Sequence, residues 1–285
     1  MQLKHIIAAT DESDAGRQAV RVATDLGIRA SARVTVLRVL AIEATRHLVA
    51  SGQGAGTGSQ DRAALGHLRR WLEADILAPE DLAQVELATA AGVPGIEICR
   101  FAERTEADLL VLGRKRHTPM MRLLLGDTAD AVARRSRLPS LFVPPGSGGL
   151  DRVLVALDGS DRGITVLNQA CDFARYAGSG VQAITVERNS EGEPLQIEST
   201  LPVARSSLLQ ARVREVLARE GFPSAPLAIR RGDVLERILA EVQETEADVL
   251  AIGYHRGGAP GVIEAGSTAR RLAHVAPCAV LTIPL

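Results

Sequence analysis

The sequence predicts an α/β protein built as two tandem doubly wound domains, each a five-stranded parallel sheet flanked by helices. Three observations predict it. First, the 285-residue chain repeats itself: Thr105-Glu106-Ala107-Asp108-Leu109-Leu110-Val111-Leu112-Gly113 returns as Thr245-Glu246-Ala247-Asp248-Val249-Leu250-Ala251-Ile252-Gly253. Second, short runs are apolar at nearly every position, which fits strands covered on both faces. Third, segments with helical apolar spacing separate those runs. Strand alternating with helix implies parallel pairing through right-handed crossovers.

The repeat also sets the domain organisation. Gly92 meets Gly232, Gly126 meets Gly266 and Pro144 meets Pro284 at one spacing. Nearer the front, the stretch Ile6 to Asp14 returns as Val153 to Asp161, with a shift seven positions larger. The first half therefore carries an insertion, and the glycine-rich residues 51–58 are its expected place. A period this long means two domains rather than a solenoid of short repeats. The linker is read at Pro144-Pro145-Gly146-Ser147-Gly148-Gly149, giving domains 1–146 and 147–285.

Taken in order, the expected strands of the first half are residues 5–9, 33–39, 85–89, 109–112 and 141–143. Those of the second are 152–157, 181–186, 227–230, 249–252 and 280–283. A helix is expected over 15–26, because Ala19, Val22, Ala23 and Leu26 form one apolar stripe. Another is expected over 61–77, where Leu65, Leu68, Leu72 and Ile76 do the same. Their counterparts are 164–177 and 203–220.

Composition removes several function classes. A net charge of −1 gives no reason to expect nucleic acid or an acidic membrane as partner. Aromatic residues make up only 2%, too few for stacking on single-stranded nucleic acid. Cys99, Cys171 and Cys278 are isolated, as buried thiols of a reducing compartment would be. No signal-peptide pattern opens the chain and no apolar run reaches ~18 residues. A soluble, cytoplasmic protein is the expectation.

In open parallel sheets, ligands sit at the carboxyl ends of strands where the chain order reverses. Three features of each half fall at such ends. An acidic residue follows the first strand, Asp11 or Asp158. A glycine closes the fourth, Gly113 or Gly253. Thirteen residues later, Gly126-Asp127-Thr128 or Gly266-Ser267-Thr268 opens a helix, where free N–H groups and the positive dipole end suit an anion. The plainer readings are that Asp11, Ser13, Asp158 and Ser160 cap helices, and that Gly113 and Gly253 are turn residues. Walker-type and dinucleotide-type loops are absent, and the six histidines lack metal-ligand spacing. Arg114-Lys115-Arg116 reads as a solvated basic edge, or as a screen for a bound anion.

Gly253-Tyr254-His255-Arg256, followed after nine residues by Gly266-Ser267, resembles the nucleotide loop of the universal stress protein family. Asp158-Gly159-Ser160 and the Ala276-Pro277-Cys278 ending are also similar to that family. The likeness covers nearly the whole chain, as two tandem family domains. It implies a stress-response protein that binds ATP or AMP, with or without magnesium. It also implies site residues: Asp158, Val186, Gly253, Gly266, Ser267 and Thr268, with Asp11, Val39, Gly113, Gly126 and Thr128 as first-half counterparts. The two halves would pair through residues 141–143 and 280–283 as an intrachain pseudo-dimer, with a homodimer and a regulatory protein partner as further expectations. The second glycine of the loop is replaced by Arg116 and Arg256, which would crowd phosphates or pair with them. Asp127 stands where serine or threonine is expected, so repulsion makes the first site the weaker. No residue demands ATP hydrolysis. The rival function is a nucleotide-free interaction module of the same fold.

Overall fold

In a computed structural model of the protein, the structure describes residues 2–40, 57–114, 127–147, 149–187, 200–254 and 267–285. They form two compact units, Gln2–Ser147 and Gly148–Ile283. In the first unit the order is β1 (His5–Thr10), α1 (Asp14–Ala30), β2 (Arg33–Leu40), α2 (Thr57–Asp75), α3 (Pro79–Leu82), β3 (Val85–Ala91), α4 (Pro94–Arg104), β4 (Leu109–Gly113), α5 (Asp127–Arg135) and β5 (Ser140–Val143). The strands run β3-β2-β1-β4-β5 across the sheet, and their pairings are parallel. In the second unit β6 (Arg152–Leu157), α6 (Asp161–Ala177), β7 (Gly180–Glu187), α7 (Thr200–Arg219) and β8 (Leu227–Arg231) come first. They are followed by α8 (Val234–Glu244), β9 (Val249–Tyr254), α9 (Ser267–Val275) and β10 (Ala279–Pro284). The sheet order there is β8-β7-β6-β9-β10.

Chain order therefore reverses between β1 and β4, and again between β6 and β9. Those are the places where a parallel sheet opens a crevice for a ligand. The cores explain the unbroken apolar runs. Every residue of β1 is buried, and Leu109, Leu110 and Val111 in β4 are fully enclosed. Strand ends differ from the sequence expectation by a residue or two, as frayed ends do. Helices α4 and α8 were not singled out from sequence. Pro94 begins one, and the other is capped by Asp233, whose carboxylate accepts from Glu236 N at 3.0 Å.

The most visible repeat has a structural cause. Thr105 ends α4 and its hydroxyl donates to Phe101 O at 2.8 Å. Glu106 turns the chain in the left-handed region with φ 51, Ala107 is buried, and Asp108 accepts from Lys4 N at 2.7 Å and His5 N at 3.0 Å. The second copy repeats this: Thr245 Oγ1 donates to Glu241 O, Glu246 has φ 47, and Asp248 accepts from Arg152 N. The motif joins a helix to the start of a strand, at the opposite end of the sheet from the crevice.

Two expectations are corrected. Thr57 and Gly58, placed by sequence in the glycine-rich insertion, already belong to α2, whereas residues 51–56 lie outside the described residues. Arg114, read as part of a solvated edge, is only 3% exposed, and its backbone N–H donates to Val143 O at the end of β5. Lys115 and Arg116 lie outside the described residues. The turn after β5 is ordered: Ser147 N and Oγ both donate to Pro144 O, and Gln18 of α1 donates to Ser147 O at 2.8 Å.

The thiols are buried. Burial pushes Cys99 up to about 11 and Cys171 to about 12, so neither holds an appreciable thiolate near neutral pH. His5, at the start of β1, is 4% exposed, with its ring nitrogens near Thr105 O and Thr35 Oγ1. Burial lowers its pKa, against the pull of the Thr105 carbonyl and with help from the Arg33 charge. Below about pH 6.5 the unfolded chain protonates this imidazole while the folded chain resists. Stability is therefore expected to fall as pH drops from about 6.5, by no more than about 1.4 kcal/mol per pH unit for one group. Urea unfolding of wild type and His5→Gln across that range checks it, the variant showing the flatter profile.

Candidate functional site

Each crevice begins with the same turn, built from Asp-x-Ser-Asp-x-Gly. Ser13 and Ser160 cap α1 and α6, their hydroxyls accepting from Gly16 N and Gly163 N at 3.2 Å. The serines are thus the caps. The aspartates are not: Asp11 Oδ1 accepts from Ser13 N at 3.1 Å, and Asp158 Oδ1 from Ser160 N at 3.0 Å and Ser160 Oγ at 2.7 Å. Each aspartate is held over the helix start with one oxygen engaged. Gly16 and Gly163 make room for it. A Cβ on Gly163 would lie 2.9 Å from Asp158 Oδ1, and one on Gly16 would lie 3.1 Å from Asp11 Oδ1. Sequence reasoning missed these two glycines, although their spacing from the cap serine is identical in both halves.

Gly113 at the end of β4 and Gly253 within β9 are strand residues rather than turn residues. A Cβ on Gly113 would lie 2.4 Å from the Ala15 carbonyl carbon and 2.6 Å from Gly16 N, so the backbone of α1 rests directly on the strand. Around Gly253 the nearest atoms are side-chain ends, Leu285 Cδ1 at 2.7 Å and Val166 Cγ2 at 2.9 Å. The first turn of α6 stands off from β9, where that of α1 lies flush on β4.

The cavities differ accordingly. In the second unit a cavity of about 440 Å³ brings together Asp158, Val186, Gly253 and Thr268. Its walls are aliphatic, from Val234, Ile238, Ile252 and Leu272, with Leu285 across Gly253. In the first unit Asp11, Val39, Gly113 and Thr128 converge in the same way, but on only about 110 Å³. Gly126, Gly266, Arg116 and Arg256 lie outside the described residues. Asp127 and Ser267 open α5 and α9, and their side chains are outside the description. Among the described residues, no group of three His, Cys, Asp or Glu comes together as metal ligands, and no helix is long and apolar enough to cross a membrane.

The family model described as "Universal stress protein family" matches residues 2–144 and again 149–284. The chain belongs to the universal stress protein family. Universal stress protein MJ0531 of Methanocaldococcus jannaschii is 28% identical over 144 residues, covering 49% of this chain and 81% of that protein. A universal stress protein from Archaeoglobus fulgidus DSM 4304 superposes with a TM-score of 0.73 at 20% identity, covering 100% of this chain and 99% of that one. At that identity the likeness concerns the fold. A universal stress protein solved in complex with cAMP is 21% identical over 51% of this chain and 100% of its own, with a TM-score of 0.35.

Within this universal stress protein, the residue after the crevice aspartate separates the two copies. It is Gly159 in the second, with φ 77, and Glu12 in the first, with φ 61. A glycine adopts that backbone freely, whereas a glutamate is held there against about 1 kcal/mol or more of steric cost. The holding contacts are plain. Glu12 is ion-paired with Arg38 of β2, and its other oxygen lies 3.0 Å from His67 Nε2 on α2. The strand position matching Arg38 is Thr185, paired with Leu157 as Arg38 is with Thr10.

Proposed function

We propose that the second domain of this chain binds an adenine nucleotide, ATP or AMP, and that its occupancy serves a regulatory or signalling role. The observation that carries this reading is the cavity of about 440 Å³ at the β6/β9 reversal, with Asp158, Val186, Gly253 and Thr268 on its walls. Small-molecule sites usually measure about 300–1,000 Å³ and combine apolar walls with a few converging polar groups. The aliphatic walls suit the faces of a base, and the Asp158 carboxylate suits sugar hydroxyls. The start of α9, with Ser267 and Thr268, offers N–H groups and a positive dipole end to phosphates. Magnesium would then arrive with the phosphates rather than be held in advance by a ligand cluster.

The first domain supports the rival reading. Its cavity of about 110 Å³ is below the range for a nucleotide, so in this closed form it takes none. Native mass spectrometry of freshly purified protein tests both readings together. One nucleotide per chain, removed by Asp158→Ala, is the expected result. A chain that carries none, and gives no heat with millimolar ATP or AMP by calorimetry, leaves the interaction-module reading ahead.

A further inference from the structure

The small first cavity has a visible fastening. Glu12 sits between Asp11 and Ser13, both of which line that cavity, and it occupies a left-handed conformation that residues other than glycine rarely adopt. Its carboxylate ties this turn to β2 through Arg38 and to α2 through His67, and its own N–H donates to Thr10 Oγ1 at 3.0 Å. The next residues are the first turn of α1, whose Ala15 and Gly16 backbone lies flush on Gly113. In the second domain the tie to the neighbouring strand is missing. Gly159 has no side chain, Thr185 has no charge, and the first turn of α6 is joined to α7 instead by an Arg212–Asp161 ion pair. There the cavity is open.

We propose that Glu12, Arg38 and His67 form an autoinhibitory clamp that holds the β1–α1 turn down and keeps the first site closed, so that releasing it exposes a second nucleotide site. The clamp stands on strain and charge pairing within the first domain, whereas the identity of the incoming ligand rests on the nucleotide reading above. Strain held in place by surrounding contacts beside a ligand crevice is how switch segments are commonly built. Any agent that competes for the Glu12 carboxylate or for Arg38 would open the site.

The test compares the full chain carrying Asp127→Ser with the chain carrying Asp127→Ser and Glu12→Gly, so that phosphate repulsion is removed from both. Glu12→Gly keeps the left-handed turn and deletes the clamp, and Arg38→Ala controls for the backbone freedom that glycine adds. Hydrogen–deuterium exchange of residues 11–17 should quicken at least tenfold in the second variant, with residues 158–164 unchanged as the internal reference. ATP stoichiometry by calorimetry should rise from one to two. Arg38→Ala in the Asp127→Ser chain should act in the same direction. Unchanged exchange, or one equivalent in every variant, overturns the clamp, as do two equivalents with Glu12 intact. Should no variant bind ATP, the nucleotide reading fails and the exchange comparison alone decides whether the clamp exists.

Discussion

Gly113→Ala is expected to destabilise the first domain by about 1–3 kcal/mol, the usual cost of forcing an extra group into a filled core. The new Cβ would meet the backbone of Ala15 and Gly16 at 2.4 to 2.6 Å. A helix backbone has no rotamer by which to step aside, so α1 must move or β4 must bend. The same change at the equivalent position has a different result. At Gly253 the methyl group meets the ends of Leu285 and Val166, which turn away at about 0.5–1.5 kcal/mol for off-rotamer side chains. The space they turn into is the cavity. Gly253→Ala should therefore cost the second domain no more than about 1.5 kcal/mol and weaken ATP binding at least tenfold, about 1.4 kcal/mol. Urea titration followed by hydrogen exchange reports the two domains separately, and calorimetry reports the ligand. Equal destabilisation by both variants would remove the asymmetry between α1 and α6.

Ser267→Asp is the second large effect. A serine hydroxyl can donate to a phosphate oxygen, whereas an ionised carboxylate only accepts. The substitution removes a donor and adds a negative charge at the start of α9. Two like charges ~4 Å apart repel by about 1 kcal/mol in water and about 4 kcal/mol at an effective dielectric of 20. At least a tenfold loss of ATP affinity follows, with a smaller loss for AMP, which carries less charge. The reverse change in the first domain, Asp127→Ser, should have little effect alone, since its cavity is closed. An unchanged ATP affinity in Ser267→Asp, read by calorimetry, would mean that phosphates do not lie at this helix start.

Much of the architecture was legible in the sequence because its causes are local. Strands enclosed on both faces leave apolar runs such as Leu109 to Leu112. A duplicated domain leaves a duplicated motif. The positions Asp158, Val186, Gly253 and Thr268 are far apart in the chain and converge on one cavity, because a parallel sheet gathers all its strand ends on one side. What escaped depends on contacts between elements. The Thr-Glu-Ala-Asp repeat announced the duplication, but the reason for its residues, a helix-to-strand joint, is a contact between elements. Arg114 looked exposed because its neighbours in sequence are basic, and it is buried at the end of β4, with its backbone bonded to β5. Glu12 carried no signal of its own; its weight comes from Arg38 and His67, brought to it by β2 and α2. The inequality of the two cavities likewise lies in how closely a helix approaches a glycine, which spacing alone does not encode.

The central claim is that nucleotide occupies the cavity of the second domain and not that of the first. Photoaffinity labelling of the intact chain with an azido-adenine analogue of ATP, followed by peptide mapping, addresses it directly. Labelled peptides should contain residues 156–166, 184–187 or 234–238, and competition with unlabelled ATP should remove the label. Labelling centred on residues 9–16, 37–39 or 94–98, or spread equally over both domains, would contradict it.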